Sequence, residues 1–284
     1  MKKLIVAFLF LLSGSYIAFQ VVFDVPESPL LMIRQPHGVW QKTGQCYQSS
    51  PVKGIDNQGT LQALVWNIYK ENRPGWQQEL NHLSDSASLV LLQESSLKDE
   101  FTGWLDKKNW VSTHVSAFDA LNVSAGVINL SRTLPQAVCA YTQMEPWLRL
   151  PKSALFSLYP LSDGRSLAVI NVHAVNFTLG IDEYSEQLQT LRELALEHTG
   201  PVLVAGDFNS WSSSRTEQLR EDMGRLGLKE VHFEPDHRTE VLTGYKLDHL
   251  FFRGMELIKA EAPMTSASDH NPLVVSFRLA EPLP

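Results

Sequence analysis

The sequence predicts an α/β fold in which mixed sheets pack against each other and helices cover them. Apolar runs of strand length recur along the chain, for example at 61–66, 89–92 and 202–205. Two other segments carry apolar residues at helical spacing, one from Trp76 and one from Tyr184. Because strands outnumber helices and polar residues follow several strands directly, a sandwich whose loops converge on one mouth fits best.

Each predicted strand is a short apolar run bounded by polar or turn-forming residues. Asp163-Gly164 separates two of these runs with a hairpin signal, and Gly200-Pro201 stops the second helix. In chain order we predict a strand at 61–66, a helix at 76–83, strands at 89–92, 125–130, 154–159 and 167–172, a helix at 184–195, and strands at 202–205, 247–252 and 272–277.

Length and composition indicate one globular catalytic domain, predicted at 60–280, in a chain of 284 residues. Residues 24–59 are rich in Pro, Gly, Ser and Gln and have no sustained period, which predicts a linker or irregular lead-in. Hydrophobic residues make up 44% of the chain, enough for a substantial core. The formal net charge of -7 argues against binding nucleic acid or anionic lipid through bulk charge.

The N-terminus has the pattern of a targeting segment. Lys2 and Lys3 precede residues 4–23, which carry no charge, and this run reaches the ~20 residues that span a bilayer. We therefore predict a signal peptide or an N-terminal membrane anchor at 1–23. Either one makes the protein exported or anchored in the inner membrane on its periplasmic side, with a cytoplasmic location as the alternative. In an exported protein Cys46 and Cys139 could pair, and their pairing stays open.

Polar residues with catalytic potential stand at the ends of the predicted strands. Gly206-Asp-Phe-Asn209 follows the run at 202–205, and Ser268-Asp-His270 precedes the last strand. Taken singly, such residues are typical of turns, helix caps or solvated acids. Their occurrence in sequence, each beside an apolar run, indicates a shared site. The candidate residues are Asn67, Glu94, His173, Asp207, Asn209, Asp248, Asp269 and His270.

These residue types suit the hydrolysis of a phosphoester. A phosphodiester is anionic, so a hard cation such as Mg²⁺, held by carboxylate and amide oxygens, would neutralise it; Glu94 and Asn67 offer such oxygens. The attacking water must lose a proton, for which Asp207 and His270 are candidates. The amide of Asn209 could donate hydrogen bonds to the developing anion. An imidazole beside a carboxylate has a raised pKa and can bind an anionic oxygen as a cation.

The ordered motifs resemble the endonuclease/exonuclease/phosphatase superfamily, and longer strings such as Leu89-Val-Leu-Leu-Gln-Glu94 are similar to its YafD-like bacterial branch. The resemblance covers residues 61–277. It implies a four-layer α-β-β-α sandwich of the deoxyribonuclease I-like type. It also implies roles for the site residues: metal binding by Glu94, Asn67 and Asp269, alignment of water and phosphate by Asp207 and Asn209, orientation of His270 by Asp248, contact of His270 with the scissile phosphate, and leaving-group assistance by His173.

The expected function is a Mg²⁺-dependent phosphohydrolase, with Mn²⁺ as an alternative metal. A phosphodiesterase or nuclease that uses an attacking water comes first, and a sphingomyelinase- or phospholipid-type enzyme is the alternative. A catalytically silent binding module on the same fold is a further alternative. The expected partners are nucleic acid or a phospholipid headgroup, with a membrane tether through the N-terminus; the oligomeric state stays open. Ser95-Ser96 follow Glu94 where abasic-site endonucleases of the superfamily carry a lysine, which argues against abasic-site repair.

Overall fold

The computed structural model describes residues 14, 17–51, 53–178 and 180–280. The predicted signal peptide or anchor at 1–23 lies mostly outside these residues, and of it residues 17–22 are helical. Within the described ranges, no helix combines the length and apolar character needed to cross a bilayer.

The described residues form seventeen strands and four longer helices. The helices are α1 (Trp76–Ser84), α2 (Asp99–Asp106), α3 (Asp182–Leu196) and α4 (Ser213–Arg225). The strands are β1 (Phe23–Asp24), β2 (Leu30–Arg34), β3 (Gln41–Gly44), β4 (Cys46–Gln48), β5 (Thr60–Asn67), β6 (Leu89–Ser96), β7 (Val111–Ser116), β8 (Phe118–Ala120), β9 (Val123–Ser131), β10 (Ala137–Met144), β11 (Pro151–Pro160), β12 (Ser166–His173), β13 (Val202–Asp207), β14 (Lys229–Glu230), β15 (Asp248–Arg253), β16 (Met255–Glu261) and β17 (Leu273–Leu279).

The strands are divided between two mixed sheets. The first has the order β16-β17-β5-β6-β9-β7-β2-β3, with β8 paired to β9 and β1 to β8. The second has the order β14-β15-β13-β12-β11-β10-β4. In each sheet one central pair is parallel, β5 with β6 and β12 with β13, so polar residues that end these strands reach the same edge.

Alternating side chains produce four layers, because successive residues of a strand point to opposite faces. In β12, Val169 belongs to the core between the sheets, whereas Ile170 packs with Leu188 of α3 on the outer face. In β5, Val65 faces the other sheet and Trp66 packs in the cluster that contains α1 and α2. Helices therefore cover the outer face of each sheet, and the predicted α-β-β-α sandwich is confirmed.

Residues 24–59 were predicted to form a linker or irregular lead-in. In the structure they contribute strands to both sheets. Strand β2 pairs with β7, and its Leu31 and Ile33 are buried in the core. Strand β4 pairs with β10 in the second sheet. Proline and serine around the run Leu30–Arg34 concealed a strand whose apolar side chains still drive it into the core.

Cys46 and Cys139 form a disulfide that joins β4 to β10, which settles the question left open by the sequence. The two residues lie directly opposite each other in the strand register. Since they are 93 residues apart, the bond restricts a long loop of the unfolded chain.

We expect reduction of this disulfide to lower the melting temperature by roughly 5–15 °C, from a destabilisation of about 2–4 kcal/mol. Thermal unfolding of the protein with and without dithiothreitol measures the difference. The double variant Cys46→Ser/Cys139→Ser is the control. Its melting temperature should equal that of the reduced protein and should not change when dithiothreitol is added. Equal melting temperatures for oxidised and reduced protein would contradict a stabilising role.

A buried histidine makes the fold sensitive to mild acid. His114 of β7 is fully buried, with its Nε2 3.1 Å from Ser124 Oγ, and burial lowers its pKa to about 3. The unfolded chain takes up this proton below pH ~6.5, so stability is lost as the pH falls from there towards 3. Between pH 7 and 5 we expect His114 to account for about 2 kcal/mol of lost unfolding free energy. Chemical denaturation at both pH values checks this, because His114→Asn should lose correspondingly less over the same interval.

Candidate active site

Three neighbouring strands of the second sheet bring polar residues to one edge. His173 ends β12, Asp207 ends β13, and Asp248 begins β15. The register pairs His173 with Asp207 and Asp207 with Asp248, so the three residues lie side by side. All three are buried, with Asp207 only 2% exposed. The pairing of short apolar strands thus places a buried carboxylate between an imidazole and a second carboxylate.

The first sheet contributes Asn67 and Glu94 to the same place. Asn67 ends β5, and its Nδ2 donates a hydrogen bond of 2.9 Å to Asp207 Oδ2 across the two sheets. Glu94 has a φ of 51°, at an irregularity in the pairing of β6 with β9. Such an irregularity redirects a side chain out of the regular strand pattern. It brings the Glu94 carboxylate to 3.8 Å from His173 Nε2.

His270 and Asp248 form a hydrogen-bonded pair facing Asp207. His270 Nδ1 lies 2.8 Å from Asp248 Oδ2, and its Nε2 lies 3.8 Å from Asp207 Oδ2. Trp66 Nε1 donates to the backbone carbonyl of His270 and fixes the loop that carries it. Burial by itself lowers the pKa of His270, but the carboxylates of Asp248 and Asp207 outweigh it and raise this pKa to about 10. At neutral pH His270 is therefore a cation directed at the site.

His173, in contrast to His270, is neutral. Its Nε2 lies 2.9 Å from Lys152 Nζ and 3.5 Å from Asp207 Oδ2. Burial, together with the positive charge of Lys152 and Lys70, holds the pKa of His173 well below its ordinary value. The neutral ring accepts a hydrogen bond at Nε2 from the Lys152 ammonium, which is a donor only. Positive charge at this side of the site thus comes from Lys152.

The site also contains two lysines, which no sequence motif indicated. Lys70 contacts the Glu94 carboxylate from the turn after β5, where residues 69–71 all have positive φ. Lys152 comes from the start of β11. Burial raises the pKa of Glu94, but the charges of Lys70 and Lys152 outweigh that effect and hold it below its ordinary value. Glu94 is therefore an anion at neutral pH.

Asp207 is the central carboxylate, and its surroundings make it basic. Burial raises its pKa to about 6 despite the opposing charge of His270. The backbone N–H of Asn209 donates 2.9 Å to Asp207 Oδ1. The Asn209 side chain was expected to donate to the substrate, but its Nδ2 donates to the Ala174 carbonyl at 2.9 Å. In this structure Asn209 fixes the loop that holds Asp207.

A network of hydrogen-bonded amides between the two sheets lies next to the polar residues of the site. Gln93 Nε2 donates to Asn171 Oδ1 at 2.7 Å, and Asn171 Nδ2 donates to Asn129 Oδ1 at 2.8 Å. All three amides are fully buried. Because unpaired amides are costly in a core, these bonds favour one alignment of the two sheets. The residues next to Glu94 and His173 thereby hold the two halves of the site in register.

The oxygen donors suit a hard divalent cation. Glu94 is anionic and already attracts the Lys70 ammonium, and Asn67 Oδ1, which accepts one bond from Tyr69 N–H, keeps a second lone pair. Asp207, Asp248 and His270 also offer ligand atoms within 4.8 Å of one another. A protonated His270 has no lone pair to give, however, so this trio is better described as an acid–imidazole set. The residues that fit a cation best are Glu94 and Asn67, with Asp207 beside them.

Asp269, the third predicted metal ligand, lies apart from the other two. It is exposed, and its Oδ1 lies 3.3 Å from Ser268 Oγ. Among the described residues, this carboxylate makes no hydrogen bond or ion pair with Asn67, Glu94 or Asp207. Asp269 follows Ser268, whose hydroxyl is anchored to the Asn67 carbonyl at 2.7 Å. The alternation of neighbouring side chains turns His270 inward and leaves Asp269 in solvent.

The fold and the cluster together define a two-sheet sandwich with a buried acid–imidazole site at one edge. The profile of the Endonuclease/Exonuclease/phosphatase family matches residues 64–270, and the chain belongs to this family. Members of the family are typically metal-dependent phosphoester hydrolases.

Relatives that match most of the chain are known. A UPF0294 protein of Vibrio parahaemolyticus is 50% identical over 278 residues, covering 98% of this chain and 99% of that protein. A UPF0294 protein of Yersinia pseudotuberculosis is 43% identical over 218 residues, covering 77% of this chain and 84% of the relative.

Solved structures share the fold. An endonuclease/exonuclease/phosphatase from Beutenbergia cavernae has a TM-score of 0.61 at 16% identity, covering 78% of this chain and 72% of that chain. ANGEL2, described as a 2′,3′-cyclic phosphatase, also has a TM-score of 0.61, at 15% identity, covering 78% of this chain and 95% of its own. At such identities the likeness establishes the architecture alone.

Proposed function

We propose that this protein is a divalent-metal-dependent phosphohydrolase that cleaves phosphodiesters by attack of water. One observation carries the proposal: the buried carboxylate of Asp207 accepts a hydrogen bond from Asn67 of the first sheet and faces the pair that His270, in the loop before β17 of the first sheet, forms with Asp248 of the second. This arrangement unites a proton acceptor with a cation for an anionic oxygen. It also puts the metal-compatible oxygens of Glu94 beside them.

Each side chain can be given a role from its charge and position. Asp207, with a pKa raised towards neutrality, accepts the proton of the attacking water. His270, held as a cation by Asp248, stabilises negative charge on the phosphate oxygens. The Lys152 ammonium, fixed against His173, stabilises charge on the departing oxygen. His173 acts as the neutral group that orients this ammonium.

Glu94 and Asn67 would hold the divalent metal, Mg²⁺ or Mn²⁺. When bound, the metal would neutralise phosphate charge and polarise the phosphoryl group. Glu94 also needs a compensating cation because it is mostly removed from solvent, and Lys70 serves that need in this structure. Lys70 is attached to a turn beside the site, so it can exchange the Glu94 carboxylate for an anionic oxygen of the substrate.

We also propose that the protein works outside the cytoplasm. Lys2 and Lys3 followed by an uncharged run fit an exported or membrane-anchored protein. The Cys46–Cys139 disulfide supports an oxidising compartment such as the periplasm, since structural disulfides are rare in a reducing cytosol.

The test is hydrolysis of bis-p-nitrophenyl phosphate by the full-length protein with Mg²⁺, with EDTA, and with EDTA followed by excess Mg²⁺. We expect turnover only where free Mg²⁺ or Mn²⁺ is present, and restoration after the excess is added. A panel of a phosphomonoester, single-stranded DNA, RNA and a phospholipid runs in parallel. Failure to turn over any of these substrates with either metal would favour a silent binding module instead.

A further inference from the structure

A deep apolar pocket opens directly beside the catalytic cluster. Its volume is about 580 Å³, within the range of cavities that hold a small organic ligand. Glu94, Lys152 and His173 form one end of it. The rest is lined largely by aliphatic and phenylalanine side chains from β1, β8, β9 and the β10–β11 connection, among them Phe23, Phe118, Ala120, Val123, Leu148 and Leu150. None of these apolar residues has a role in the chemistry proposed above.

Charge divides the pocket into two chemically different ends. Lys70, Lys98 and Lys152 all line it, and all lie at the catalytic end or next to it. Lys98 Nζ donates to Asn72 Oδ1 at 3.0 Å, and Lys152 is fixed against His173. Glu145 also lines the pocket, but it is buried and accepts a hydrogen bond from the backbone N–H of Asn176 at 2.6 Å; Phe118, Ala120, Leu121 and Val123 provide an apolar wall. A ligand that matches both ends carries an anionic phosphate and an apolar chain.

The mouth of the pocket carries exposed apolar side chains. Leu121 is 69% exposed at the turn between β8 and β9, and Leu148 is 47% exposed in the β10–β11 connection. Apolar side chains that are both exposed and grouped around a cavity favour contact with an apolar partner.

The N-terminal segment enters the domain at the same place. Phe23 lines the pocket, packs its ring 6.0 Å from that of Phe118, and directly follows the helical residues 17–22. On that helix Ile17 and Val21 are exposed. The described residues 17–22 therefore adjoin the pocket lining at Phe23, and an apolar surface in contact with Ile17 and Val21 would lie near the opening.

We propose that the substrate is an amphiphile: a phosphoester lipid whose apolar chain occupies this pocket while its phosphate reaches Asp207 and His270. The inference deepens the proposed phosphohydrolase activity and rests on it. A nucleic acid fits the pocket less well. Its bases need hydrogen-bond partners and its neighbouring phosphates need cations, whereas the far end of the pocket offers aliphatic surface.

The experiment measures competitive inhibition by n-alkyl phosphates with ethyl, butyl, hexyl and octyl chains, all kept below micelle formation. The reporter is hydrolysis of bis-p-nitrophenyl phosphate by the full-length protein with Mg²⁺. We expect Ki to fall with chain length, by up to about fourfold per methylene. Octyl phosphate should bind at least about 30-fold more tightly than ethyl phosphate. A Ki that does not change along the series would overturn the inference.

Two variants locate the effect. Ala120→Trp should fill the pocket and flatten the dependence of Ki on chain length, while hydrolysis of the short reporter persists. Leu148→Ser should weaken octyl phosphate binding and leave ethyl phosphate binding unchanged. Val39→Ser is the matched control, because Val39 is an exposed apolar residue outside the pocket lining. If both pocket variants keep the wild-type chain-length dependence, the alkyl chain binds elsewhere and the assignment is wrong.

The result also separates this inference from the proposed function. Absence of metal-dependent hydrolysis of the reporter would contradict the proposed function itself. Hydrolysis of the reporter without preference for longer chains would contradict only the lipid assignment. Cleavage of a single-stranded DNA or RNA oligonucleotide with a kcat/KM above that of a phospholipid in mixed micelles would equally overturn the lipid assignment and favour a nuclease.

Discussion

Replacement of Asp207 by asparagine is expected to lower kcat for bis-p-nitrophenyl phosphate by about 100- to 10,000-fold. The amide keeps the size of the side chain but cannot accept the proton of the attacking water. The stability of the folded protein, unlike its activity, should not fall. Because burial raises the pKa of Asp207, the folded protein bears an unfavourable charge at pH 8 that asparagine lacks. The melting temperature of Asp207→Asn in EDTA at pH 8 should therefore equal or exceed that of the wild type.

Asp163→Asn is the matched control for this variant. Asp163 lies in the turn between β11 and β12, at the opposite end of the strand that ends in His173. Steady-state kinetics and thermal melts of wild type and both variants provide the comparison. Wild-type kcat in Asp207→Asn would remove Asp207 as the proton acceptor. A loss of kcat accompanied by a large fall in melting temperature would instead indicate damage to the fold.

The second large effect is expected at Glu94. Glu94→Gln removes the carboxylate charge but keeps the shape of the side chain. The protein should therefore bind the metal, and with it the substrate phosphate, less tightly. We expect the Mg²⁺ concentration for half-maximal activity to rise by about 10- to 100-fold or more. Titration of activity with Mg²⁺, and separately with Mn²⁺, measures this shift.

Glu193→Gln controls for the loss of one negative charge, since Glu193 lies on α3 and bonds only to Gln189 Nε2 among the described contacts. Its half-saturating Mg²⁺ concentration should match the wild type. An unchanged Mg²⁺ requirement in Glu94→Gln would show that the metal is held by other residues. In that event Asp207 and Asp248 would be the next carboxylates to test.

The grouping of several candidate side chains could be predicted because these residues follow local signals. Asp207 and Asp248 each adjoin a short apolar run, and strand pairing inevitably brings such positions to one sheet edge. The lysines could not be predicted. Lys70 reaches Glu94 through a turn of left-handed residues, and Lys152 lies near the start of β11, outside the apolar run that predicted this strand at 154–159. The exposure of Asp269 could not be predicted either, because the sequence does not reveal which residue of a loop turns inward.

The same reasoning explains which strands were missed. Strand β7 is completely buried, yet its Ser112, Thr113 and His114 are polar, so hydrophobic periodicity gave no signal. Strand β2 was hidden by its neighbours rather than by its own sequence, since Leu30–Arg34 contains four consecutive apolar residues. Strand β10 alternates buried Val138 and Ala140 with half-buried Cys139 and Tyr141, a period of two that was detectable. Of these three strands only β7 lacks a hydrophobic signal, whereas β2 has a short apolar run and β10 has one apolar face.

The most direct measurement is hydrolysis of bis-p-nitrophenyl phosphate in ¹⁸O-labelled water, with the products analysed by mass spectrometry. If water held at Asp207 attacks phosphorus, the p-nitrophenyl phosphate made by the wild type carries one ¹⁸O and the released p-nitrophenol carries none. The Asp207→Asn protein should produce almost no labelled product over the same time. Label in the p-nitrophenol, or equal labelled product from the variant, would contradict the account.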